Sequence, residues 1–131
     1  MSAFLGIDTS NYTTSAALFD SEANTIIQSK KLLPVKAGEL GLRQSDAVFA
    51  HVKQLGDMVQ NVFDEYREEI TAIGVSTRPR DIDGSYMPCF LVGEMAANCL
   101  GAALKAPVLP FAHQQGHVAA ALYSAGRLDL F

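Results

Sequence analysis

Ala3-Phe4-Leu5-Gly6-Ile7-Asp8-Thr9-Ser10-Asn11-Tyr12 opens with a short apolar run, stops it at an acid and follows the acid with turn-prone residues. Ser15 to Phe19 is a second apolar stretch ending at Asp20, so the two runs predict a hairpin with a polar tip. Ser21 to Asn24 makes the next turn, and Thr25-Ile26-Ile27-Gln28-Ser29 adds a β-branched third strand, completing an antiparallel meander. Lys36 to Arg43 holds two glycines without periodicity and reads as a loop. Beyond it Val48, Val52, Leu55, Val59, Val62 and Tyr66 recur at spacings of four and three, which predicts a helix capped near Ser45. Ala72 to Ser76 then reads as a short buried strand, Cys89 to Leu104 as a helix buried on nearly all sides, Val108 to Phe111 as a strand and His113 to Ser124 as a third helix. Helices alternating with strands after a meander give an α/β fold, a mixed sheet covered by helices.

At 131 residues the chain has the length of one domain, and its 49% hydrophobic and 18% charged residues exclude disorder. That apolar fraction slightly exceeds what a free-standing domain of this size needs, so some of it is expected to meet another lobe or partner. A formal charge of -4 and a pI near 5.2 give no general footprint for a polyanion. Arg78-Pro79-Arg80 is a tight basic cluster, read as a solvated loop. Cys89 and Cys99 lack CxxC spacing and read as reduced, buried thiols. The start of the chain lacks a basic flank and reaches Asp8 before an apolar signal region forms, so a cytoplasmic address is expected. Glu94, Asn98 and Lys105 interrupt the apolar run from Pro88 to Val108, which argues against a membrane span.

His113-Gln114-Gln115-Gly116-His117 carries the chemistry, because imidazoles four residues apart on a helix project from one face and can grip one metal ion. Two imidazoles need at least one more protein ligand, and iron, zinc or manganese would suit two imidazoles and a carboxylate. The position that an HExxH protease fills with its catalytic carboxylate is Gln114, and an amide cannot act as a general base near neutral pH. His51 lies beside the helical stripe and is expected to face the surface or a partner.

Phe4-Leu5-Gly6-Ile7-Asp8-Thr9-Ser10, Ala72-Ile73-Gly74-Val75-Ser76, Leu91-Val92-Gly93 and Pro107-Val108-Leu109-Pro110 leading into His113-x-x-Gly116-His117 occur here in the order found in the glycoprotease-like family. That family, once called O-sialoglycoprotein endopeptidase, includes the TsaD-type tRNA threonylcarbamoyladenosine synthases, and the chain resembles it over nearly its whole length. The resemblance implies an actin-like (ribonuclease H-like) ATPase fold of two lobes with the cleft between them. Residues 1–131 would be a single domain, the N-terminal lobe, with a further metal-binding aspartate and the glycine-rich nucleotide segments in an absent C-terminal lobe. It implies His113 and His117 as ligands of a divalent metal, iron or zinc, and ATP or an acyl-adenylate held through the missing lobe. Asp8, Thr9, Ser10, Asn11 and Thr13 at the hairpin tip are then expected to bind phosphate or substrate. Partners implied are the missing lobe, an actin-like paralog or a second copy, and tRNA when partners are present.

The chain departs from the family at three places. Typical members read ETSCDET where this one has Asp8 to Thr14, so Tyr12 and Thr13 replace two adjacent acids. A longer segment, Arg78 to Pro88, stands in place of a Gly-Pro-Gly turn, and HMEGH becomes HQQGH. These changes point to a divergent paralog. The expected function is a metal- and ATP-linked threonylcarbamoyl transfer lobe, with a non-catalytic actin-like scaffold subunit as the alternative and a metallopeptidase third.

Overall fold

The computed structural model describes residues 3–10, 13–22, 24–34, 44–66, 69–79 and 87–113. Within them the chain forms β1 (Ala3–Thr9), β2 (Thr13–Asp20), β3 (Thr25–Leu32), α1 (Gln44–Glu65), β4 (Ala72–Arg78), α2 (Phe90–Leu104) and β5 (Val108–Ala112). The sheet order is β3-β2-β1-β4-β5. The pairs β1–β2 and β2–β3 are antiparallel, as the meander predicts, while β1–β4 and β4–β5 are parallel. Only the first residue of the expected third helix lies inside the described residues.

Period-two alternation divides the sheet into two unlike faces. Leu5, Ile7, Leu18, Ile73 and Val75 point to one face and join a core with Leu55, Met58 and Val62 of α1 and Val92 and Ala97 of α2. Both helices therefore cover the same side. Phe4, Ile26, Leu109 and Phe111 lie on the other side and are 40 to 47% exposed. At the β2–β3 turn the Glu22 N–H donates to Asp20 Oδ1 at 3.0 Å, and Asn24 takes a left-handed conformation with φ 53°.

The helix α1 starts at Gln44, so Ser45 sits exposed in its first turn and is not a cap ahead of it. Its buried residues are Ala47, Ala50, His51, Leu55, Met58 and Val62, whereas Val52 is 60% exposed. The apolar spacing selected the correct helix and most of its inward face, since Leu55, Val62 and Tyr66 are buried and Val48 and Val59 pack against the core; only Val52 points outward, and Ala47, Ala50 and His51 extend the buried side. The expectation that α2 is buried all round also fails, since Leu91, Met95 and Leu104 are exposed, and so is Cys99. What α2 buries is a line of small residues, Gly93, Ala97 and Gly101, along which it lies close against the sheet. A Cβ at Gly101 would stand 2.5 Å from Val108 Cγ2 and 3.0 Å from the Ala106 carbonyl oxygen, so the approach depends on that glycine.

Candidate functional site

Three parallel strands, β1, β4 and β5, end at one edge of the sheet, where an open α/β sheet ordinarily binds ligands. The β1–β4 register pairs Ile7 with Val75, which makes Asp8 and Ser76 neighbours on the same face. Asp8 Oδ2 accepts a hydrogen bond from Ser76 Oγ at 2.9 Å and another from His113 Nδ1 at 2.6 Å. The acid of the hairpin and the first histidine of the HxxGH element, 105 residues apart, thus form one pair. The Phe90 ring, at the start of α2, lies 6.3 Å from the imidazole at an interplanar angle of 52°. Asp8 Oδ1 is buried and has no hydrogen-bond partner among the described residues. A buried carboxylate oxygen left unpaired costs free energy, so this atom marks a place suited to a cation or a donor.

The pair also fixes a tautomer. A carboxylate oxygen only accepts, so His113 Nδ1 carries the proton and, in the neutral ring, the lone pair resides on Nε2. A carboxylate that holds the far nitrogen of a metal-binding imidazole is the usual means of aiming such a ligand.

The remaining tip residues divide between the fold's interior and the rim. The Thr9 hydroxyl is fully buried; it donates to the Cys89 carbonyl at 2.9 Å and accepts from the Gly93 N–H at 3.1 Å. It caps α2 from another strand, because Cys89 at the N-cap offers no side-chain bond. Ser10 is 7% exposed and Thr13 is half-buried at the start of β2. Thr14 is fully buried, and Asn11 lies outside the described residues.

His51 is fully buried, contrary to the expectation of a surface or partner-facing side chain. Its Nε2 lies 2.6 Å from the Ser10 carbonyl oxygen and its Nδ1 lies 2.7 Å from Thr14 Oγ1. The carbonyl can only accept, so Nε2 donates, Nδ1 accepts from the Thr14 hydroxyl, and Thr14 in turn accepts from Gln54 Nε2 at 2.9 Å. Burial pushes the His51 pKa below the ordinary histidine value and outweighs the upward pull of the Ser10 carbonyl and the Asp8 charge. Burial also pushes the Cys89 thiol up to about 11.

The family described as TsaD, tRNA N6-adenosine threonylcarbamoyltransferase, matches residues 22–129. The chain belongs to the TsaD family. No curated protein gives a significant match. Among solved structures the chain is similar to YeaZ from Pseudomonas aeruginosa, at 23% identity and a TM-score of 0.58, over 86% of this chain and 43% of that one. It is equally similar to a protein described as uncharacterized, with similarity to peptidase YEAZ from Pseudomonas aeruginosa, at 23% identity and TM-score 0.59, covering 86% and 44% of the two chains. These likenesses show the fold, which is actin-like and ribonuclease H-like. The chain spans less than half the length of either structure.

Of the two histidines expected from sequence to hold a metal, His113 stands at this strand edge, and His117 lies outside the described residues. No three His, Cys, Asp or Glu side chains converge among the described residues, and no described helix is long and apolar enough to cross a membrane. Sequence reading missed Ser76, whose only signal is being a polar residue late in a buried strand. Its pairing with Asp8 becomes visible once the parallel register is known.

Proposed function

We propose that the chain is the N-terminal lobe of a two-lobe, metal- and ATP-linked threonylcarbamoyl transfer protein acting in tRNA adenosine modification. The Asp8–His113 pair, with one buried carboxylate oxygen left unpaired among the described residues at the edge where three parallel strands end, is the observation that carries this reading. The residues present fit a divalent cation: an imidazole whose tautomer the Asp8 carboxylate fixes, and a second imidazole four residues on in sequence. His113 and His117 would hold the ion, with Asp8 aiming the His113 ring and Ser76 steadying the carboxylate. A bound divalent ion would polarise phosphate or carbamoyl oxygens and stabilise charge as a carbamoyl group passes to an amine. Thr13, half-buried at the start of β2, would offer its hydroxyl to substrate, while ATP would be bound through residues of the second lobe.

Metal analysis tests the proposal. The protein is expected to retain about one equivalent of iron or zinc, lost in His113→Ala with His117→Ala and weakened about 10- to 100-fold in Asp8→Asn, the usual effect of removing an outer partner. Absence of metal from the unsubstituted protein after loading with each ion would overturn it.

A second reading, the non-catalytic scaffold subunit, draws on Phe49 and Val52 of α1 and Leu91 and Met95 of α2, which are 64, 60, 47 and 55% exposed. Together with Tyr12 and Thr13 in place of two acids, they favour a lobe that acts by pairing. A chain that binds no metal yet forms a stable complex with an actin-like paralog would establish this reading over the first.

A further inference from the structure

The end of β1 is clamped from two directions. α2 holds Thr9 through its side chain, by the bonds to Cys89 and Gly93, and α1 holds Ser10 through its carbonyl, by the bond from His51. The carboxylate of Asp8 immediately precedes both anchors and bonds to Ser76 and His113. The clamp on Ser10 works in one tautomer only. Gln54 donates to Thr14, Thr14 donates to His51 Nδ1, and that leaves Nε2 with the proton it gives to Ser10. An apolar side chain of similar size would fill the space but leave the Ser10 carbonyl and the Thr14 hydroxyl without these partners, so the position requires hydrogen bonds as well as volume.

We infer that His51 is a positioning residue for the candidate site: from inside the fold it fixes where β1 leaves the sheet, and so sets how firmly Asp8 aims the His113 ring at a divalent cation. The inference rests on the metal-site reading above and adds a residue of α1 that touches neither the cation nor the substrate. Its chemistry is specific. An N–H donor is required at the reach of Nε2, and a glutamine provides one there, whereas the shorter asparagine can replace only the Nδ1 end.

The test compares the full chain with His51→Gln and His51→Asn, titrating each with Mn2+ and following amide hydrogen exchange across residues 3–10 and 13–20. His51→Asn is expected to bind Mn2+ about tenfold more weakly and to lose exchange protection at the end of β1, while His51→Gln stays close to the parent. Thr14→Val, nearly isosteric and lacking the hydroxyl that sets the tautomer, is expected to weaken binding in the same direction and serves if His51→Asn does not fold. Unchanged Mn2+ affinity in His51→Asn, or in Thr14→Val where the former does not fold, would overturn the inference and leave the metal site standing. Equal weakening in the asparagine and glutamine variants, matching their loss of thermal stability, would also overturn it. A parent chain that binds no Mn2+ overturns the metal reading itself and with it the claimed effect on cation affinity. Loss of protection confined to the asparagine variant would then still support His51 as the anchor of β1, and unchanged protection would overturn that too.

Discussion

Asp8 and His51 show how one carboxylate and one imidazole acquire roles from their surroundings. Asp8 sits at the boundary between a buried strand and the polar tip, accepts two hydrogen bonds on one oxygen and, among the described residues, has none on the other. His51 is held neutral by burial, with its proton on Nε2. Because its folded pKa is lowered, the unfolded chain takes up a proton that the folded protein refuses as pH falls below about 6.5. The sign is therefore a loss of stability on acidification. Urea unfolding at pH 7.5, 6.5 and 5.5 is expected to show the parent losing more stability below pH 6.5 than His51→Gln, with a limiting slope of about 1.4 kcal/mol per pH unit. The two thiols differ in the same way. Cys89, buried and raised to about 11, is expected to resist a disulfide reagent at neutral pH until the chain is unfolded, while exposed Cys99 reacts in the native state. Two equally fast thiols would contradict that placement.

At the scale of elements, α2 depends on contacts from outside itself at both ends. Thr9 of β1 satisfies a donor in its first turn, and Gln44 Oε1 accepts from the Cys89 N–H at 3.2 Å. At the C-terminus Lys105 adopts φ 56° and ψ 43°, while the Ala106 N–H returns to the Gly101 carbonyl at 3.0 Å. A side chain in the left-handed region costs about 1 kcal/mol, and glycine relieves it. Lys105→Gly is accordingly expected to stabilise the fold by up to about 1 kcal/mol in denaturant unfolding, despite the added flexibility of the unfolded chain. The helix α1 shows how far periodicity reaches. Its existence, its extent and most of its inward face were legible from Val48 through Tyr66, but Ala47, Ala50 and His51 extend that face beyond the apolar stripe. Hydropathy ranks Val52 above His51, and only the hydrogen bonds waiting at Ser10 and Thr14 reverse that order.

Across the whole molecule, stability is concentrated on one side of the sheet. Ile73 is fully buried in the interior strand β4 among core residues from both helices, whereas Ile26 on the edge strand β3 is 47% exposed on the opposite face. Ile73→Ala is expected to cost about 3 to 4 kcal/mol, a large share of the 5 to 15 kcal/mol of a typical domain, and Ile26→Ala under about 1. Chemical denaturation of the two variants checks the contrast, and equal costs would show that the second face is covered in solution. The strand ends place the site: Asp8, Ser76 and His113 meet where β1, β4 and β5 finish, with Phe90 at the start of α2 beside the His113 ring.

The sequence by itself determined the order of elements, the antiparallel opening, the family and the two residue types at the centre of the site, because these follow from local periodicity, turn chemistry and short motifs. Only the tertiary structure decided which residues meet. Strand order and parallel register bring Asp8 to Ser76 and His113 across 68 and 105 residues, and close packing of the helices converts Thr9, Thr14 and His51 into buried hydrogen-bonding partners. Those pairings depend on long-range alignment and on which buried donors find acceptors, and neither is written in any local window of the chain.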